Sequence, residues 1–421
     1  MSNAYEELRA LAAKCTFCGA CHAVCPVFDK LAQETSCSRG RLFQLRFLSE
    51  ERIKADKHLA ETLSRCALCQ ACTAKCPASI KTTDIFMRLR KAVADEVPLP
   101  LAKRVAFTSL TYRALFNTLL GLGASFQGLL FKQSPDGPGR VSRLPLPAAG
   151  LNQRRLIPGL ASRPLRRIVP ALSRPERKKA KVVFFPGCML NYVYPEAGKA
   201  VIDVLTLNGV EVHLPANLSC CGTPAITSGD FAAGKVLAEQ NVRALQSIEA
   251  DAIITACATC ATALSHEYGL VLEDSPVLEA WQGLKGRVID FSKFLVDFGF
   301  TAPTRPVERV VTYHDPCHLV RGMKVSKEPR ALIKAVPGVA FKEMTDADRC
   351  CGCAGTFSAS HYELSRRIND DKIDSIAATG ADLAVTGCSA CRMHIADGLN
   401  QRGVPCEVTH TAQLIAAGYG L

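Results

Sequence analysis

The residues best placed to do chemistry are cysteines. Cys15, Cys18, Cys21 and Cys25, followed by Pro26, have the spacing C-x2-C-x2-C-x3-C-P, and Cys66, Cys69, Cys72 and Cys76, followed by Pro77, repeat it. Two-residue gaps wrap a tight loop round one cuboidal [4Fe-4S] cluster, so that three sulfurs converge on three irons while the fourth cysteine turns to the other cluster. The spacing predicts one cluster on Cys15, Cys18, Cys21 and Cys76 and a second on Cys66, Cys69, Cys72 and Cys25. Zinc also uses Cys-x2-Cys, but it takes two such pairs per ion rather than a run of four ending in proline. Cys37 stands outside both motifs and reads as an inert buried thiol.

A second set of cysteines is duplicated. Cys188, Cys220, Cys221, Cys257 and Cys260 form one group, and Cys317, Cys350, Cys351, Cys388 and Cys391 form the other. Cys188 and Cys317 differ by 129, Cys220 and Cys350 by 130, Cys257 and Cys388 by 131. The flanks repeat as well: KVVFFPGC against RVVTYHDPC, SCCG against RCCG, ADAIITACATC against ADLAVTGCSAC. Chance placement of small buried residues would not reproduce five positions twice at one offset. Five thiols exceed the four of a cuboidal cluster, so either one is spare or the cluster is opened and extra thiolates bridge irons. Gly222 and Gly352 permit a close backbone turn over each site. Cys353 has no counterpart in the first copy, where Thr223 stands, and reads as a non-ligand; Cys406 has no evident role.

The elements that must hold these groups can be sketched. Residues 1–97 carry nine cysteines between short helix-like runs, which predicts a bacterial-type, α-helical two-[4Fe-4S] ferredoxin domain. Residues 98–180 carry none. Within each later copy, β-branched runs of about five residues precede the cysteines and helical periodicity fills the intervals. This predicts two tandem α/β domains, residues 181–305 and 306–421, in a chain that is α+β overall. The first cysteine of each would follow a strand, at the carboxyl edge where open α/β sheets bind ligands.

The cysteine-free stretch has two parts. Residues 114–131 hold no charge over 18 positions, the lower limit for a membrane span. Asn117, Thr118, Ser125, Gln127 and three glycines interrupt the run, so docking on a partner subunit or on the membrane surface, or burial as a core helix, are the better readings. Residues 154–181 carry ten Lys or Arg against Glu176 alone, interleaved with prolines, and read as an extended basic linker.

Charge and compartment follow from the metal. The formal net charge is +12, which alone would suggest nucleic acid, but every cluster held by thiolates subtracts from it, and no nucleic-acid partner is expected. The 21 cysteines fall in short-spaced groups rather than scattered pairs, which points to metal and a reducing cytoplasm rather than disulfides. The N-terminus lacks the apolar core and cleavage site of a secretory signal. G-x4-G-K at Gly229–Lys235 lacks the Ser or Thr of a phosphate loop, since Val236 follows. No G-x-G-x-x-G follows a strand. His314, His318, His266, His361 and His394 are proton-donor options near the clusters, though such histidines are more often packing or surface residues. No catalytic residue is identifiable.

Two ferredoxin motifs followed by two CCG units resemble the iron-sulfur subunit of the glycolate oxidase and D-lactate dehydrogenase family, whose relatives include the D subunit of heterodisulfide reductase and the iron-sulfur subunit of anaerobic glycerol-3-phosphate dehydrogenase. CSRGRLFQL, DPCHLVRG, CCGCAGTFSASHYELSRRI and TGCSACRMHI are similar to the D-lactate and glycolate branch, and FFPGCMLNYVYPEAGKAVIDVL to the glycerol-3-phosphate branch as well. The resemblance implies an FAD-containing dehydrogenase subunit as partner, a quinone or other carrier as acceptor, and peripheral contact with the inner face of the cytoplasmic membrane as an option. It also implies one or two noncubane [4Fe-4S] clusters in the five-cysteine units, beyond the two [4Fe-4S] clusters of the ferredoxin motifs. A disulfide reductase and a non-catalytic redox sensor are the alternatives.

Overall fold

In the computed structural model, which describes residues 3–134, 139–143 and 155–421, the two cysteine-rich copies are built alike, strand for strand. A short antiparallel pair, β1 (Phe131–Gln133) and β2 (Arg140–Ser142), precedes them. The first copy has strands β3 (Leu172–Ser173), β4 (Ala180–Phe184), β5 (Val210–His213), β6 (Ala252–Thr255) and β7 (Val288–Asp290) in the order β3-β5-β4-β6-β7. The second has β8 (Arg309–His314), β9 (Val339–Phe341), β10 (Leu383–Thr386) and β11 (Glu407–His410) in the order β11-β10-β8-β9. Read from β4 and β8 outward, the orders coincide, and all these pairings except β3 with β5 are parallel. Val182 pairs with Ala252 as Val311 pairs with Leu383, so the repeat holds in register too.

The strands read as they do because both faces are covered. Ala252–Thr255 and Leu383–Thr386 are buried at every position, the signature of a parallel sheet between helices. The helix Pro195–Leu207 of one copy packs against the helix Thr411–Tyr419 of the other in a shared apolar core, and the Asn208 side chain donates to Tyr419 Oη at 3.2 Å across that seam. In each sheet the chain leaves the central strand first to one side and then to the other. The resulting switch point lies between β4 and β6, and between β8 and β10, and it opens the cleft where the cysteines gather.

Ahead of β1 lie α1 (Asn3–Leu11), α2 (Pro26–Leu31), α3 (Ser38–Ser49), α4 (Lys57–Ser64), α5 (Ala71–Lys75), α6 (Thr82–Glu96), α7 (Leu101–Thr111) and α8 (Arg113–Leu130). The first six enclose the two ferredoxin-type loops and lie on both sheet units. Arg349 bridges Asp29 at 2.8 Å and Asp371 at 2.7 Å, and Lys30 reaches Asp371 at 2.7 Å. On the other unit, Arg90 of α6 donates to the carbonyls of Leu63 and Cys66, both at 2.7 Å, and of Thr227 at 2.5 Å. Arg90→Met would leave those three carbonyls without their donor, at a cost of roughly 1–3 kcal/mol for each that finds no water. The expected outcome is a lowered thermal midpoint for the whole chain, measured by calorimetry under argon.

Two expectations for residues 98–180 change. Among the described residues no helix is long and apolar enough to cross a membrane, and α8 is not a core helix either, since none of its residues is buried. It is held by one side only: Phe116 meets Tyr192 edge-on at 5.7 Å, and Gln127 exchanges hydrogen bonds of 2.8 and 2.9 Å with the Leu160 backbone. Leu115, Leu119, Leu122, Phe126 and Leu129 are exposed on it. The basic linker, whose first residue Arg154 lies outside the described residues, is not a free tether where it is described. Leu165 is fully buried, Arg166 donates to Pro215 O at 2.7 Å, and Leu172–Ser173 adds an antiparallel edge strand to the first sheet. Apolar anchors between the prolines fix a segment whose composition alone suggests solvation.

Candidate metal centres

The two N-terminal loops bring their cysteines together crosswise. Burial pushes the Cys15 thiol up, a hydrogen bond from the Phe17 backbone opposes this, and nearby Cys21, Cys76 and Cys18 add to the shift. Cys25 is pushed up to about 11 by burial, with Cys66 and Cys69 contributing, and Cys72 to about 12 by burial and then by Cys66 and Cys69. Thus Cys76 sits with the first three cysteines and Cys25 with the second three, the neighbourhood that the spacing predicts. Cys25 also caps α2, accepting from Phe28 N at 3.4 Å, so a helix N-terminus faces the second group.

Cys37 is more than filler. It is fully buried, it caps α3 by accepting from Gly40 N at 3.4 Å, and its thiol donates to Glu34 O at 3.1 Å. Its thiol also hydrogen-bonds Cys21, and this contact is the chief reason the Cys21 pKa falls to about 6.

In the first sheet unit all five expected cysteines converge. Cys188 and Cys220 have sulfurs 3.9 Å apart. Cys221 is held well below the ordinary thiol range, first by Cys220 and then by Cys260, and Cys257 is hydrogen-bonded to Cys260. In the second unit Cys350 is raised chiefly by Cys317, while Cys351 is held low first by Cys391. Cys388 is held low by Cys257 and then by Cys391. Gly222 and Gly352 turn the chain at φ of +84° and +87°. A Cβ on Gly352 would stand 2.6 Å from Ser365 O, so this turn demands glycine.

The four groups adjoin in an order that differs from their order along the chain. Cys69 of the second ferredoxin-type loop contacts Cys350 of the second unit. Cys388 of that unit contacts Cys257 of the first, beside Thr259 Oγ1 at 3.6 Å. The outermost group is the first loop, where Cys18 is exposed. A cavity of about 620 Å³ opens between α4, α6 and the second unit, and Cys66, Cys317, Cys350, Cys351, Cys388 and Cys391 reach its wall.

The surroundings fit anionic iron-sulfur clusters. All 21 cysteines are free thiols, and sulfur donors in groups of four and five suit iron with sulfide. Arg41, 1% exposed, has no partner for Nε or Nη2 among the described residues and acts electrostatically on Cys25. A buried guanidinium held only by Ser36 O through Nη1, with no carboxylate partner among the described residues, marks a place where negative charge belongs. Lys372 is fully buried near Cys351 and Cys350, its amine lowered to about 8 by burial and donating to Asp346 O at 2.5 Å. Glu267 lies by Cys221 in the first unit, its carboxyl raised to about 8, first by burial.

Sequence reasoning missed these three charges. Only Arg41 had a signal, as the second arginine of CSRGR. Of the five histidines named, His394 meets Ser365 Oγ at 2.8 Å, His361 meets Ser64 Oγ at 2.7 Å and His266 meets Asp84 at 3.0 Å. His318 is half-buried at the cavity wall, with its pKa lowered chiefly by desolvation, and His314 lies against Cys351. Cys353 is buried against Ser358 at 3.9 Å.

Fold and sites together define an iron-sulfur oxidoreductase component with a 4Fe-4S dicluster domain, which matches at residues 11–80, and two copies of a cysteine-rich domain, at 182–265 and 311–396. The chain is 32% identical over 426 residues to the probable glycolate oxidase iron-sulfur subunit of Bacillus subtilis (strain 168), covering 96% of this chain and 94% of that one. It belongs to the glycolate oxidase iron-sulfur subunit family. It is also 32% identical over 241 residues to lactate utilization protein A 2 of Bacillus cereus (strain Q1), covering 56% of this chain and 98% of that one. One fumarate reductase (CoM/CoB) subunit, from Methanothermobacter marburgensis, is 34% identical over 241 residues, 57% of this chain and 47% of that one. Among solved structures, a hypothetical protein from Helicobacter pylori at 9% identity shares the fold with a TM-score of 0.50, over 91% of this chain and 68% of that one.

Proposed function

We propose that this chain is the electron-transfer subunit of an FAD-dependent 2-hydroxy-acid dehydrogenase, acting on D-lactate or glycolate, which passes electrons from the flavin subunit to a quinone or another carrier. The observation that carries this reading is the unbroken contact from Cys18 at the surface, through the second loop and Cys69–Cys350, to Cys388–Cys257. Cys15, Cys18, Cys21 and Cys76 would hold one [4Fe-4S] cluster, Cys66, Cys69, Cys72 and Cys25 another, and the two five-cysteine groups one noncubane cluster each. Bound there, each cluster exchanges one electron at a time, which suits it to divide a two-electron oxidation of substrate. The protein supplies helix ends and buried cations that offset negative charge, and short separations between neighbouring groups. A reducing cytoplasmic setting agrees with 21 free thiols, and peripheral attachment at the inner membrane face would bring a quinone within reach.

The exposed apolar stripe of α8 is the surface proposed for the partner subunit. Leu115, Leu119, Leu122, Phe126 and Leu129 recur at alternating steps of four and three, the narrow seam that a partner helix fills, rather than the wide apolar face of a helix lying in lipid.

Activity of the assembled complex tests the reading. Hydroxy-acid-dependent quinone reduction should require both this chain and the flavoprotein. A second reading, a disulfide reductase, is favoured by the opening of the second unit's sulfurs onto a cavity, which gives a small ligand a way to reach them. It would show as disulfide-dependent oxidation of a reduced viologen by the isolated chain. Iron analysis under argon should find about sixteen irons per chain, against about eight if only the ferredoxin-type pair is filled.

A further inference from the structure

The two sheet units are repeats, so a residue that differs between them at the site is informative. Val183 pairs with Ile253 in one sheet and Thr312 with Ala384 in the other. Counting on from there, Phe185 of the first unit is the counterpart of His314 of the second. In the first unit Gly187 has φ +63°, and a Cβ there would stand 2.7 Å from Cys260 Sγ. The sulfur therefore packs directly on backbone, with the Phe185 ring as an apolar wall. The second unit has Pro316 in place of Gly187, so that approach is closed. An imidazole stands at the sulfurs instead.

His314 is 1% exposed, and its ring nitrogens meet no oxygen or nitrogen partner among the described residues, only the Cys351 sulfur. A ring nitrogen of His314 and the sulfurs of Cys351 and Cys391 all lie within 4.8 Å of one another. The other buried histidines differ: His394 has Ser365 Oγ at 2.8 Å and His410 has Ala256 O at 2.7 Å. A buried imidazole without such a partner is costly to keep unless something else occupies its lone pair. With two thiols beside it, a metal ion would fill that lone pair.

We propose that His314 is an iron ligand of the cluster in the second cysteine-rich unit, which is thereby a mixed imidazole and thiolate centre, while the first unit is ligated by cysteine alone. The inference rests on the reading that the second unit holds an iron-sulfur cluster. Imidazole coordinates as a neutral ligand, so it joins the five cysteines without the negative charge that a further thiolate would bring. Lys372, where the first unit has Asn241, places a cation beside these sulfurs and favours the reduced cluster. The second centre, which adjoins the second ferredoxin-type loop and the cavity, is then the more oxidising of the two.

Pulsed EPR on the full-length chain, produced without oxygen and with 15N-labelled histidine, tests this directly. The expected spectrum shows a strongly coupled histidine nitrogen on one cluster signal. His314→Phe should abolish that coupling, and His314→Cys should abolish it while retaining the iron and lowering the midpoint potential of that centre. A full iron complement showing no histidine coupling, only the weak coupling of an N–H···S hydrogen bond, or a coupling that survives in His314→Cys would overturn the ligand assignment alone. A wild-type chain holding no iron beyond the ferredoxin-type pair would overturn the reading on which it rests.

Discussion

Replacing Cys66 with alanine should remove about four irons per chain and reduce hydroxy-acid-dependent reduction of the acceptor to the background of the flavoprotein alone. The side chain stands just after α4, with Arg90 donating to its carbonyl at 2.7 Å. Its thiol acts on both Cys25 and Cys72. Without it the second group keeps three sulfurs for four irons. This group is also the one that meets the second unit, through Cys69 and Cys350, so its loss separates the outer loop from everything beyond. Substrate should still bleach the flavin in the assembled complex, because that step needs none of these sulfurs. Stopped-flow spectra of flavin and acceptor, taken beside iron analysis, check both halves. Acceptor reduction at the wild-type rate with the iron gone would leave the relay without support.

Much of this was legible because cysteines that share a metal are constrained in spacing, and spacing survives in a linear string. The two crosswise groups near Cys15 and Cys66 follow from C-x2-C-x2-C-x3-C-P, and the twin sheets follow from an offset that holds at Cys188, Cys220 and Cys257. Which groups adjoin was not legible. That the second unit, far along the chain, lies next to the N-terminal loops depends on pairs such as Lys30 with Asp371 and Asp29 with Arg349, whose partners are more than 300 residues apart. The buried charges were hidden for a related reason. Arg41, Lys372 and Glu267 read as ordinary polar positions on amphipathic helices until packing turns them toward sulfur. The basic, proline-rich segment misled because composition averages over Leu165 and Leu172, the few side chains that anchor it.

The helix that composition marked as apolar leads to the other large effect. Leu122→Glu combined with Phe126→Glu should release the partner subunit from this chain while leaving its own fold and iron content unchanged. Both side chains are more than half exposed in the isolated chain, at 52% and 59%, so the substitutions open no cavity. The contacts that hold α8, through Phe116, Asn117 and Gln127, lie on its other side. Burying a Leu or Phe contributes about 1.5–3 kcal/mol, and two carboxylates in a closed apolar seam would add a desolvation cost. Association should therefore weaken by at least about 100-fold, since each 1.4 kcal/mol is tenfold. Co-purification of the flavoprotein and titration of the purified subunits measure this, with sedimentation on anionic vesicles alongside. If the double variant binds its partner normally and instead loses vesicle binding, α8 serves the membrane surface, and the seam proposed for the partner lies elsewhere.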